Sequence, residues 1–327
     1  MDRIAQALER HQVALYLVAL AVGAAVGLAA PLVAAPLERA ITPLLALLLY
    51  ATFLGVPLAR VSAALRDRRF LATLAVVNFV VAPVVAFGVS RLVAADEALL
   101  VGVLFVLLTP CIDYVIAFSG LAGGSRDRLL AATPLLMLGQ MVLLPLYLWA
   151  MAGPALVSAI VPGPFLEAFL VLIVLPLAAA AVTQALATRH PAARHAGRAA
   201  TTAMVPLMML TLGAVVASQV AAVGGDLARL APVIPVFVLF AAVMTAVGVV
   251  AARVAGLGMP DGRAVLFSGV TRNSLVVLPL VLALPERLSP APLVVVTQTL
   301  IELVVMVVLV RVAPRLLPTR TDVGGGA

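Results

Sequence analysis

Ten runs of about twenty apolar residues, separated by short charged or Pro/Gly-rich breaks, dictate what this chain can become. They lie near residues 12–30, 41–58, 70–90, 98–121, 129–152, 165–187, 199–222, 230–252, 263–284 and 291–312. A bilayer core roughly 30 Å thick needs about 20 helical residues to cross it, so each run is long enough to span. The runs are apolar all round and lack the alternation of a barrel strand. The expectation is an all-α integral membrane protein with ten transmembrane helices in a single membrane domain over residues 1–327. Little is left for a soluble domain beyond a short tail at 313–327. Composition agrees: 64% of residues are hydrophobic and 11% are charged, against about 45–50% and about 25% in soluble chains. Soluble enzymes, nucleic-acid binders and disordered proteins are poor fits. Arg3 and Arg10 followed by Val13–Ala30 resemble a secretory signal. The run is longer than a signal core, however, and nine more follow, so it reads as helix 1.

The formal net charge of +7 comes from arginine, because the chain contains no lysine. With the N-terminus placed in the cytoplasm, sixteen arginines fall in inside segments (among them Arg60, Arg66, Arg68, Arg69, Arg189, Arg194 and Arg198). Only Arg39, Arg91, Arg229 and Arg287 fall outside. This is the positive-inside pattern, and it explains the basic charge without a nucleic-acid partner. The reading is a multi-pass protein of the cell (inner) membrane with both termini cytoplasmic.

Residues 12–152 and 165–312 each hold five runs, and in each half the fourth run is broken by polar residues. Five is odd, so two related halves must sit upside down relative to each other. Inverted repeats with interrupted helices at matching places point to a secondary transporter with a midplane site.

Polar groups in the runs are few, and charged ones are functional candidates by default. Run 4 carries Thr109, Pro110, Cys111 and Asp113; run 9 carries Thr271, Arg272, Asn273 and Ser274; run 10 carries Gln298 and Glu302; run 5 carries Thr133 and Gln140. Pro110 removes a helix hydrogen bond where Cys111 and Asp113 follow. A mutual Asp113–Arg272 pair would neutralise two charges in the membrane. Glu302 is then left over, which suits a proton carrier. Asn78, Thr211 and Gln219 read as interhelical hydrogen-bonding groups. His190 and His195 fall in a polar loop without a nearby carboxylate and read as solvated. One cysteine excludes a multi-cysteine zinc site. No P-loop or dinucleotide fingerprint is present, so no cofactor is expected and an intramembrane enzyme is a poor fit.

The Thr109-Pro110-Cys111 step, the Leu121-Ala-Gly-Gly-Ser125 turn, the Thr271-Arg-Asn-Ser274 stretch and Glu302 together resemble the bile acid/sodium symporter and arsenite permease superfamily. The resemblance implies two inverted five-helix repeats. Helices 4 and 9 are broken and cross in a core with helices 3, 5, 8 and 10, while helices 1, 2, 6 and 7 form a panel. Arsenite permeases carry a cysteine in the fourth helix and a glutamate in the tenth, positions matched by Cys111 and Glu302. Sodium-coupled symporters carry a Ser/Asn pair past the fourth-helix proline and an acid at the ninth-helix crossing. This chain has Val115 and Ile116 in the first place, and Arg272, Asn273, Ser274 and Leu275 in the second.

The leading expectation is efflux of arsenite, or antimonite, in exchange for protons. Cys111 is the soft ligand of arsenic as cargo, and Thr109, Asp113, Arg272, Asn273 and Ser274 complete the substrate site. Glu302 couples the proton, with Gln298 and Thr133 supporting. The alternative is a sodium- or proton-coupled symporter of an organic anion, with Arg272 as its counter-charge.

Overall fold

A computed structural model describes residues 2–55, 67–112, 114–153, 167, 170–225 and 227–318. Every regular element among them is helical. Seven of these helices are long and apolar enough to cross a membrane without interruption: Pro31–Gly55, Arg68–Val93, Leu135–Ala152, Leu170–Ala187, Met204–Ala221, Ala228–Val254 and Glu286–Leu316. The other three predicted runs have a different local structure. The first is the apolar part, Ala14–Ala29, of a longer helix. The fourth and ninth are each divided into two short helices, the fourth at Pro110, which cannot continue the hydrogen-bond ladder, and the ninth at the polar Thr271–Asn273 stretch. The protein is a multi-pass helical membrane protein.

The chain divides into two compact units. The first, Met1–Pro57 with Val161–Leu227, holds α1 (Asp2–Ala29), α2 (Ala34–Gly55), α7 (Leu170–Ala187), α8 (Pro191–Thr202) and α9 (Met204–Gly225). Its tightest approach is between α1 and α9. A Cβ on Gly23 would stand 2.6 Å from the Gly213 carbonyl oxygen, so only glycine lets these two backbones meet. Tyr50 and Thr183 join α2 to α7 by a 2.9 Å hydroxyl contact.

The second unit, Leu58–Ile160 with Ala228–Ala327, holds α3 (Arg68–Val93), α4 (Glu97–Leu107), α5 (Tyr114–Leu121) and α6 (Arg126–Ala152). It also holds α10 (Val233–Val254), α11 (Met259–Val270), α12 (Ser274–Leu282) and α13 (Ala291–Leu316). α3 widens into a π-turn at Val77–Val81, which contains Asn78. The core of this unit is densely buried: Leu104, Phe105, Val265, Phe267, Val294 and Met306 are closed to solvent. Gly102 allows α4 to lie against α13, since a Cβ there would meet Val294.

Charged latches fasten both ends of the unit. At one end Arg128 reaches Asp67 and, at 2.7 Å, Asp261. There the Ser125 hydroxyl also donates to Asp261 at 2.5 Å, and buried Arg263 donates to the Ala122 and Leu317 carbonyls. At the other end Arg229 pairs with Asp96 and Arg287 with Glu97. Thr211, expected to bond between helices, returns its hydroxyl to Leu207 in its own helix. A threonine can satisfy its hydroxyl this way without a neighbour.

Candidate functional site

The two interrupted helices meet at their breaks. Pro110 and Arg272 form an isolated antiparallel bridge. Asn273 N–H donates to the Thr109 carbonyl at 2.8 Å, and Cys111 N–H donates to the Thr271 carbonyl at 3.3 Å. Each break therefore satisfies backbone groups that the other leaves open. In a bilayer such groups have no water to turn to, so irregular backbone persists only where protein pairs it.

Arg272 is the largest fully buried side chain of the protein's described part, at 0% exposure. Its guanidinium lies where two helices end. Nη1 donates to the Leu107 carbonyl at 3.3 Å, at the close of α4, and Nη2 donates to the Ser268 and Gly269 carbonyls at 2.9 and 2.5 Å, at the close of α11. The last carbonyls of a helix lack intrahelical partners and carry its negative dipole end. One cation thus caps two helices. Nη2 also donates to Asn78 Oδ1 at 3.0 Å, and the guanidinium carbon lies 5.3 Å from the Phe240 ring centroid, within cation–π range. Nε has no hydrogen-bond partner among the described residues.

Glu302, on α13, faces the opposite kind of helix end. Its carboxylate accepts the Arg272 backbone N–H at 2.8 Å, just before α12 begins. It also accepts the Tyr114 hydroxyl at 2.5 Å and the amide of Gln298, one turn earlier on α13. An acid at a helix N-terminus and a cation at helix C-termini are both favoured by the dipoles they face. The expectation that Glu302 stands unpartnered is therefore corrected. Its partners are a backbone N–H, a tyrosine and a glutamine, none of which a search for a second arginine would find. Against Glu302 lies a cavity of about 10 Å³, lined also by Leu107, Phe240, Val270 and Gln298. That is room for about one water.

The remaining expected residues divide into two groups. Cys111, Asn273 and Ser274 are buried at the crossing. Asn273 caps α12, its Oδ1 accepting from Val276 N–H at 3.2 Å, which leaves Nδ2 without a partner among the described residues. Ser274 Oγ lies near the Tyr114 hydroxyl without meeting hydrogen-bond geometry. Thr109 gives the crossing its carbonyl, while its hydroxyl is held by Phe105 and Val106 of its own helix. Thr133 likewise bonds back to Leu129. Asp113, the expected partner of Arg272, lies outside the described residues. Among the described residues, the guanidinium is held by the carbonyl cage and Asn78.

Two site residues escaped the sequence reading. Tyr114 is one. Asn78 is the other, expected to bond between helices but not to touch a charge. It does both, donating to Ser268 Oγ at 3.0 Å and accepting from Arg272.

A model of the Sodium Bile acid symporter family matches residues 42–255, nearly two thirds of the chain. The chain belongs to that family. The matched stretch runs from within α2 to the end of α10 and contains the Thr109–Cys111 break. The second break and Glu302 lie beyond it. No curated protein matches this symporter-family chain.

Proposed function

We propose that this protein is an ion-coupled secondary transporter whose substrate binds where the two broken helices meet, and that the substrate is a trivalent arsenic or antimony oxyacid expelled in exchange for protons. The observation that carries the reading is the bridge at Pro110 and Arg272, which sets Cys111 beside the polar crossing. Trivalent arsenic is thiophilic, and a single sulfur ligand holds cargo loosely enough to release it. A transporter must bind and let go. Asn273 Nδ2 and the Ser274 hydroxyl offer polar contacts to the oxyacid hydroxyls. Glu302 carries the exchanged proton, and Tyr114 and Gln298 hold its carboxylate in place.

Ten spans in two inverted repeats complete the architecture. The division of the chain supports a panel of α1, α2, α7 and α9 and a core holding both broken helices. Residence in the inner membrane with both termini cytoplasmic rests on the arginine distribution.

A second reading, cotransport of an organic anion with sodium, is favoured by the family match. The commitment of Arg272 speaks against it. Both terminal guanidinium nitrogens already bond to the protein itself, which leaves little of that group for an anion. Hard sodium also needs several oxygen ligands, and a buried cation nearby repels it. Uptake of arsenite and of a radiolabelled bile acid by everted vesicles and by whole cells, with and without sodium, separates the two.

A further inference from the structure

Away from the crossing, α3 and α10 leave an apolar groove of about 690 Å³ between them. Ala72, Val76 and Val81 line one side, and Val243, Val247 and Val254 line the other. Thr73 is the hydroxyl-bearing member, and it is held by the Arg69 carbonyl of its own helix. Both walls belong to membrane-spanning helices, and Val76, Val250 and Val254 are 50%, 58% and 83% exposed. The medium that meets them is hydrocarbon. At 1.5 Å per residue the lining runs roughly 14 Å along α3 and roughly 18 Å along α10, about half of a ~30 Å core. The groove is one leaflet deep.

Its charged surroundings lie at one end. Arg69 Nη1 reaches to 3.4 Å from where a Cβ of Gly256 would stand, next to the groove residue Ala255. Arg68 and Arg253 are exposed at the same end. Among the described residues Arg68 and Arg69 have no acidic partner, and Arg253 donates to the Leu316 carbonyl at 3.3 Å. The nearby Asp67 is taken by Arg128. Basic side chains at the mouth of an intramembrane cleft are the recognition chemistry of anionic lipid headgroups.

We propose that the α3–α10 groove is a binding site for an anionic phospholipid, its acyl chain along the valines and its headgroup on Arg69 and Arg253. Neutral phospholipid would fill the apolar part but lose the charged end. A bound lipid would also join α3, which carries the π-turn, to α10, which carries Phe240.

The test is native mass spectrometry of the delipidated full chain titrated with phosphatidylglycerol or with phosphatidylcholine of the same acyl chains. One tight phosphatidylglycerol should bind, weakened roughly fivefold for each arginine removed in Arg69→Gln and Arg253→Gln. Val250→Trp, which fills the groove from its lipid face, should displace it without lowering the melting temperature. The Arg194→Gln/Arg198→Gln control on α8 should leave binding intact. Equal binding of the two lipids would overturn the proposal, as would phosphatidylglycerol binding that ignores the groove substitutions. So would a dimer in place of a lipid-bound monomer, lost in Val250→Trp.

Discussion

The backbone N–H of Arg272 donates to Glu302 at 2.8 Å, while the guanidinium of the same residue caps the ends of α4 and α11. One residue thus joins a carboxylate at the start of one half-helix to the closing carbonyls of two others. The charges compensate through helix termini, with no direct contact needed between guanidinium and carboxylate. This arrangement gives an arginine and a glutamate inside the membrane hydrogen-bond partners from the protein itself.

Replacing Arg272 by methionine should therefore be severe. The Leu107, Ser268 and Gly269 carbonyls and Asn78 would all lose a donor, and a cost of about 3–5 kcal/mol is expected for breaking such a buried charged network. Arg272→Lys should fall between, because an ammonium lacks the planar fork that reaches two helix ends at once. Thermal melting in detergent would show the order wild type, Lys, Met. Equal melting temperatures would mean that the cap contributes nothing.

Tyr114→Phe removes one of three donors to Glu302 and should destabilise by about 1–3 kcal/mol. If the hydroxyl acts through the carboxylate, its loss should be smaller in a Glu302→Gln background. A double-mutant cycle on melting temperature and on transport reads this coupling, expected at about 0.5–3 kcal/mol. Strict additivity would separate the two residues.

The interruptions of the fourth and ninth runs were legible in the sequence, because Thr109–Asp113 and Thr271–Ser274 are polar islands in otherwise apolar stretches. Their mutual pairing was legible only through the family resemblance, since backbone bridges leave no residue signature. Glu302 was legible as a buried acid, but its partners were not. A backbone N–H has no letter, and a tyrosine just after the first break looks like one more apolar residue. Asn78 appeared as an ordinary polar contact because nothing in its own neighbourhood shows that the second break lies against it. The arginine–aspartate pair expected from charge counting falls on Asp113, outside the described residues. Helix-end carbonyls can stabilise a cation that a list of side chains leaves unpaired.

At the opposite end of the unit, Asp96 offers a pH-dependent latch. Burial works against its charge. The ion pair with Arg229 and the N–H groups of Leu99 and Ala98 outweigh that and hold its carboxyl below the ordinary value. A depressed folded-state pKa means that the stabilisation is present above the unfolded pKa of roughly 4 and is lost as pH falls through the folded value. The melting temperature should drop on acidification below about pH 4, and Asp96→Asn should remove that part of the drop while lowering stability slightly at neutral pH. An unchanged acid limb in the variant would discard the latch.

In the first unit, Gly23→Leu should force α1 from α9, because the added side chain begins 2.6 Å from the Gly213 carbonyl. Overpacking of this kind costs typically about 1–3 kcal/mol. The expected result is a lower melting temperature with the substrate preference unchanged. A variant that melts like the wild type would show that the helices part easily.

The most direct test of the transport account is arsenite uptake into everted membrane vesicles under an imposed proton gradient, comparing wild type, Cys111→Ser and Glu302→Gln at matched amounts of folded protein. The account predicts gradient-dependent uptake by the wild type that each substitution abolishes. Folded wild-type protein that moves no arsenite, or a Cys111→Ser variant that transports it as well as the wild type, would contradict it.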